Sequence, residues 1–320
     1  MKMVLVSVLM GSYNHQNYIG EAIESVLNQT FPDLELIIVD DYSTDTSRKV
    51  IEKYRTKDSR VRPIFHDKNM GIAISINDGL KVAGGKFICF IGSDDVWFPY
   101  KLERQLALSK NHEDKILWSE GEIIDSHSAP TGTTFTKMHS AANKKKSGNL
   151  FKEILWDNYI FGQSLLIKKD FIGNALFDTS LRYLNDYRFI ADLACKHEFL
   201  FTSEPLAKYR IHATNSISKD RITWLKDRIL LNSYFLQRYG GEISRNLKGI
   251  LYMKIGSTYA DLGRTDLAKQ FYLKAISIDP FSKETVLYLI LALTDVAGRL
   301  GSSLFMFYFK VNSIFELKSS

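Results

Sequence analysis

Over the first hundred residues, short apolar runs alternate with stretches of helical periodicity. Val4–Met10, Leu34–Val39, Val61–Phe65 and Phe87–Ile91 have strand length and strand composition. Between them, Ile19–Gln29 sets Ile19, Ala22, Ile23, Val26 and Leu27 on one helical face, and Asp45–Tyr54 and Ile72–Ala83 read as two further helices. Strands that stay apolar without alternating are buried on both faces, and helices of about ten residues between them supply the crossovers of a parallel sheet. The pattern predicts a doubly wound α/β fold.

Beyond residue 100 the pattern changes twice. A helix is expected near Tyr100–Ser109. Residues 125–150 lose periodicity, hold Pro130, Gly132 and Lys144-Lys145-Lys146, and read as a surface loop with the lysines on a solvated face. Mixed apolar segments resume from Leu150 to Asn215 and belong with the first domain, placed at 1–220. A helical tail, 221–320, follows. Within it, at about 249–282, Tyr252, Ile255, Gly256, Tyr259, Ala268, Tyr272, Ala275 and Pro280 fill the tetratricopeptide template as a single helical hairpin. Val286–Leu293 and Leu304–Phe309 are apolar, but Asp295 and Arg299 between them argue against a spanning helix.

Charge sharpens this division. The 320 residues carry a net +6, yet residues 1–100 hold 11 basic and 13 acidic side chains, 101–220 hold 17 and 15, and 221–320 hold 14 and 8. The basic excess belongs to the tail, where it suits an anionic membrane surface or an acidic partner rather than nucleic acid. Two cysteines, Cys89 and Cys195, make no disulfide framework. With Met3–Met10 too short to span a bilayer and no cleavage site after it, a cytoplasmic protein, peripheral at the inner membrane face through its tail, is expected.

In a parallel sheet, ligands lie beyond the carboxyl ends of the strands. There the sequence places Gly11-Ser12-Tyr13-Asn14, Asp40-Asp41, His66-Asp67-Lys68-Asn69 and Gly92-Ser93-Asp94-Asp95. Such residues also make turns. Two Asp-Asp pairs fit turn chemistry less well, because adjacent like charges repel unless a cation or a donor-rich ligand compensates.

These segments, with Glu21–Thr30, Asn69-Met70-Gly71, Asn77-Asp78-Gly79-Leu80 and Val96-Trp97, resemble the family 2 glycosyltransferases of GT-A fold. The likeness is dense over 4–106, thins across 107–180, and returns at Asn185-Asp186-Tyr187 and Tyr209-Arg210-Ile211-His212. It implies an inverting, metal-dependent transfer from a nucleotide sugar, UDP-linked, to a saccharide or lipid-linked acceptor in surface polysaccharide synthesis. Asp186 matches the catalytic base. By the same resemblance, one of Asp94 and Asp95 binds the metal, Mn2+ or Mg2+, and the other the donor ribose or the metal, while His212 matches a histidine that approaches the metal or diphosphate. Gly11, Ser12, Tyr13, Asp40, Asp41, Asp67, Asn69 and Gly71 match the nucleotide-binding positions. The chain departs from many relatives at Gly92, where an Asp is common, and at Ile76 and Asn185. Those departures keep open a second reading, a degenerate glycosyltransferase domain acting as a binding or scaffold protein. The lack of a Gly-rich triphosphate loop weighs against a nucleotidyltransferase.

Overall fold

The computed structural model describes residues 4–280 apart from 145, 214 and 216–219. Lys145, the end of the hairpin at 281–282, and the apolar stretches Val286–Leu293 and Leu304–Phe309 with Asp295 and Arg299 lie outside the described residues. The chain forms two compact units, one of 1–154 and 158–215, the other of 155–157 and 216–320.

The first unit opens with β1 (Val6–Ser12), α1 (Ile19–Leu27), β2 (Leu34–Asp40), α2 (Ser47–Lys57), β3 (Val61–Phe65), α3 (Ile72–Val82) and β4 (Phe87–Gly92). It continues with β5 (Val96–Trp97), α4 (Lys101–Ser109), β6 (Lys115–Ile124), β7 (Pro130–Thr134), α5 (Phe135–Met138), α6 (Phe151–Trp156), β8 (Ile167–Lys168), α7 (Lys169–Ile172), α8 (Asn185–Ala194) and β9 (Glu198–Arg210). One sheet runs β3-β2-β1-β4-β8, its first four strands parallel and β8 antiparallel. A second runs β5-β9-β6-β7, with β6 and β9 parallel.

Every residue of β1 and β2 is buried, as continuous apolar runs require. α1 closes one face because Ile19, Ala22, Ile23 and Val26, at helical spacing, are all fully buried. Each of its branched side chains contributes about 1.5–3 kcal/mol by leaving water.

The expected loop at 125–150 contains structure. Its Thr-rich stretch is β7, and α5 follows. β7 pairs only with β6 at the edge of its sheet, so it needs no apolar run. Glu120 fixes the segment by accepting from the Thr136 N–H and hydroxyl. Of the lysine triplet, Lys144 lies over the Tyr159 ring and Lys146 over Phe201, so neither is simply solvated.

In the second unit, α9 (Arg221–Tyr239), α10 (Arg245–Asp261) and α11 (Thr265–Ile278) are helices, the first two N-capped by Asp220 and Ser244. α10 and α11 pack around Ile250, Met253, Ala268, Tyr272 and Ala275. No helix among the described residues is long and apolar enough to cross a membrane.

Candidate active site

The parallel register aligns Ser12 with Asp40, Asp40 with Phe65, and Gly11 with Gly92. The residues that follow β1 to β4 therefore share one edge, and two clusters form along it.

The first cluster centres on Asp94, in the turn between β4 and β5. Its Oδ2 lies 3.0 Å from His212 Nε2 and 3.8 Å from His15 Nε2. His15 Nδ1 is 2.8 Å from the Ser93 hydroxyl, which turns Nε2 toward the carboxylate. One ligand-capable atom from each of His15, Asp94 and His212 lies within 4.8 Å of the other two. Two imidazole nitrogens and a carboxylate oxygen so placed fit a divalent cation with coordination positions left open. Burial raises the Asp94 carboxyl, but the His212 hydrogen bond and the charges of His15 and His212 outweigh it, leaving the group below the usual carboxylate range.

Asp95 is placed differently. It is buried, and its Oδ1 accepts from the Arg210 N–H at 2.7 Å while Oδ2 accepts from the Gln163 amide. Burial, then the charge of Asp94, pushes its carboxyl well above the ordinary range. Gln163 also accepts from the Gly92 N–H at 2.8 Å, bridging β4 to the acidic turn. The Arg210 guanidinium is buried and donates to the Asp94 carbonyl, the Ser128 hydroxyl and Glu21 Oε2. That guanidinium ties α1, the acidic turn and the β6–β7 connection together.

Asp186 stands in the first turn of α8. It accepts from the Tyr187 N–H, and although solvent reaches it, the protein mass around this recess raises its carboxyl above the usual range. The Tyr209 hydroxyl, on β9, is pushed upward by burial and then by the charges of Asp95, Asp94 and Asp186.

The second cluster is built on β2. Asp40 is 0% exposed, and its carboxylate accepts from the Ser43 N–H and hydroxyl and from Arg48 Nε at 2.8 Å. Asp41 accepts from the Met70 and Gly71 N–H groups, each at 2.7 Å, and lies 2.9 Å from His66 Nδ1. His66 Nε2 lies 3.2 Å from Asp78, so the ring is held between two carboxylates. Asn69 donates to the Asp41 carbonyl. Gly71 has φ +90°, a conformation that glycine adopts readily, and it starts α3. Tyr13 and Tyr42 are both nearly half exposed, and Asp67 is exposed. Ser12 is buried, and its hydroxyl has no hydrogen-bond partner among the described residues. The Gly11 backbone packs directly against Ile72.

The structure thus gathers Asp94, Asp95 and His212 at one point and Asp41, Asn69 and Gly71 at another, with Asp40 buried at the end of β2 and Tyr13 exposed just past β1. Sequence reasoning missed His15, Ser93's tether to it, and Gln163. His15 lies three residues past β1, one beyond the segment inspected there, and the rule that strand ends carry function reaches it. Gln163 has no such signal, because it sits in a 3-10 turn, Gly162–Ser164, inside an apolar stretch.

Residues 7–172 match the family described as glycosyl transferase family 2, and residues 250–282 match the tetratricopeptide repeat. Among relatives, an Escherichia coli UDP-Glc:alpha-D-GlcNAc-diphosphoundecaprenol beta-1,3-glucosyltransferase is 38% identical over 42% of this chain and 54% of its own. Among solved structures, Staphylococcus aureus TarS 1–349 in complex with UDP-GlcNAc superposes with a TM-score of 0.67 at 18% identity, covering 86% of this chain and 83% of that one. A Pyrobaculum calidifontis mannosyltransferase in complex with GDP-Man and Mn2+ gives 0.59 at 15%, covering 93% and 81%. These neighbours share the GT-A fold. With more than half of its length matched, the chain belongs to glycosyl transferase family 2.

Proposed function

We propose that the protein is an inverting glycosyltransferase that moves a sugar from a UDP-linked donor to a saccharide or lipid-linked acceptor in surface polysaccharide synthesis. The observation that carries this reading is the Asp94–His212 pair, 3.0 Å apart, on the same sheet edge as Asp41 with its Met70 and Gly71 N–H donors, in a chain of glycosyl transferase family 2. Asp186 takes the proton from the acceptor hydroxyl as its oxygen attacks the anomeric carbon and the bond to the diphosphate breaks. One base and no neighbouring nucleophile give inversion in a single displacement. Its raised pKa suits that role, since a stronger base still ionises near neutrality.

Asp94 and His212 would hold a divalent cation such as Mn2+ or Mg2+, which when bound neutralises charge on the diphosphate leaving group. Asp95, engaged by the Arg210 N–H and Gln163, braces that pair. The uracil lies against Tyr13, with Asp41 accepting from N3–H, while Asp40 shapes the turn beneath it and Asn69 and Gly71 form the neighbouring wall.

The relative that acts on a diphosphoundecaprenol-linked sugar supports an acceptor of that kind. Residues 221–280 carry 10 basic and 5 acidic side chains, which suits contact with an anionic membrane surface at the inner face of the membrane. A thermal-shift screen of nucleotide sugars tests the donor. A UDP-sugar should raise the melting temperature in the presence of a divalent cation, since selective binding to the folded state stabilises it. No shift with any nucleotide sugar, with or without metal, would sink the reading.

A further inference from the structure

We propose that His15 is a metal ligand, the third donor beside Asp94 and His212, and that this His–Asp–His set selects Mn2+, Co2+ or Zn2+ over Mg2+. The inference rests on the reading of this edge as a nucleotide-sugar site, where the cation would face a diphosphate.

Four observations converge on it. His15 Nε2 and His212 Nε2 approach the same Asp94 oxygen, at 3.8 and 3.0 Å. The His15 residue is pinned from two sides, its backbone N–H donating to Ser47 Oγ at 3.1 Å and its Nδ1 meeting Ser93 Oγ at 2.8 Å. A serine hydroxyl that accepts from Nδ1–H leaves the lone pair on Nε2, the tautomer a metal needs. The two imidazoles are also fixed by packing, edge to face at 5.7 Å, with the Tyr18 ring 4.6 Å from His212.

The fourth observation concerns oxygen donors. Asp95 has both oxygens engaged by Arg210 and Gln163, and position 92 is a glycine, which offers no side-chain oxygen. The protein's share of the coordination shell is therefore two nitrogens to one oxygen. Mg2+ demands oxygen ligands and dehydrates reluctantly, whereas imidazole suits transition ions of borderline softness.

The test uses the full chain, stripped of metal and without nucleotide, and follows Mn2+ by electron paramagnetic resonance. One Mn2+ per chain should bind, equimolar Zn2+ or Co2+ should displace it, and Mg2+ at roughly hundredfold excess should leave most of it in place. His15→Ala should weaken Mn2+ binding by at least about tenfold, and Ser93→Ala, which keeps the imidazole, by about tenfold. His15→Asp supplies an oxygen instead, so the ratio of Mn2+ to Mg2+ affinity should narrow while circular dichroism shows a folded chain. That narrowing separates a ligand from a merely structural histidine. Unchanged Mn2+ affinity in His15→Ala, displacement by Mg2+ at parity, or no bound Mn2+ in the unmodified protein would overturn the proposal. A parallel titration with UDP keeps the two readings apart. If Mn2+ binds as expected but UDP never does, the donor assignment fails and the ligand set stands.

Discussion

At Gly92, where the resemblance to family 2 leads to the expectation of an aspartate, the structure predicts that even a methyl group is costly. A Cβ built on Gly92 would lie 2.6 Å from Asp95 Oδ2, 2.7 Å from Asp94 Oδ1 and 3.1 Å from Gln163 Nε2. None of these is a loose end, because Asp95 is bound to the Arg210 N–H, Asp94 to His212, and Gln163 to the Gly92 N–H. Making room breaks a hydrogen bond to a carboxylate, about 1.5–3 kcal/mol, and strains a filled site by about 1–3 kcal/mol. Alanine returns about 0.4–1 kcal/mol by restricting the unfolded chain. Gly92→Ala should therefore lose about 2–5 kcal/mol, which at a urea dependence of about 2 kcal/mol per molar lowers the midpoint by roughly 1–2.5 M. Urea titration of the chelator-treated protein, followed by near-ultraviolet circular dichroism of buried Trp97 and Trp118, measures it. Gly92→Asp should fare no better. Gln163→Ala should not rescue either change, because the two nearest atoms are the Asp95 and Asp94 carboxylate oxygens, which stay in place. A loss below about 0.5 kcal/mol for Gly92→Ala would refute the close-approach argument.

Other consequences are measurable separately. Asp186→Asn should keep UDP binding and lose transfer by about a hundredfold or more. In the unmodified enzyme the acid limb of kcat/KM should lie above the ordinary aspartate value of 3.8, because the base works ionised and its pKa is raised; a limb at or below that value contradicts the assignment. Lys101 is fully buried on the Trp97 ring and donates to Gln105, and burial lowers its pKa. The fold thus disfavours its charged form, so stability should rise between that lowered value and 10.5, a rise that Lys101→Met abolishes in urea titrations at pH 7 and 9.5. In the helical hairpin a Cβ on Gly256 would meet the Tyr272 ring at 2.6 Å, so Gly256→Val should cost at least about 1–3 kcal/mol and hasten proteolysis of α10–α11. Unaltered cleavage would count against that packing.

Most of the scaffold was legible because its signals are local. Leu34–Val39 reads as a strand from its apolar run, and α1 from the spacing of Ile19, Ala22, Ile23 and Val26. β7 escaped notice because an exposed edge strand of Pro, Thr and Gly carries no apolar signature. In the site, Asp94 and His212 were legible as residue types at strand ends. What sequence could not show was how carboxylates divide their labour. Asp40, Asp41 and Asp95 each have both oxygens bound by the chain itself, whereas Asp94 turns Oδ2 toward two histidines, a difference that four similar aspartates in sequence do not reveal. Those partners, Ser43, Arg210 and Gln163, are brought in by turns and by contacts up to 115 residues away along the chain.

The knot around Arg210 bears on how the protein is made. This side chain joins Glu21, the Asp94 carbonyl and Ser128, and its own N–H holds Asp95, so it ties the beginning and middle of the first unit to its end. During translation the four parallel strands can pair long before residue 210 leaves the ribosome, but the acidic turn has neither its anchor nor His212 until then. A nascent chain halted ahead of β9 would hold a nearly complete sheet with its metal-facing edge unassembled. The candidate site is therefore completed only when residues 210 and 212 join it, in one late step of folding.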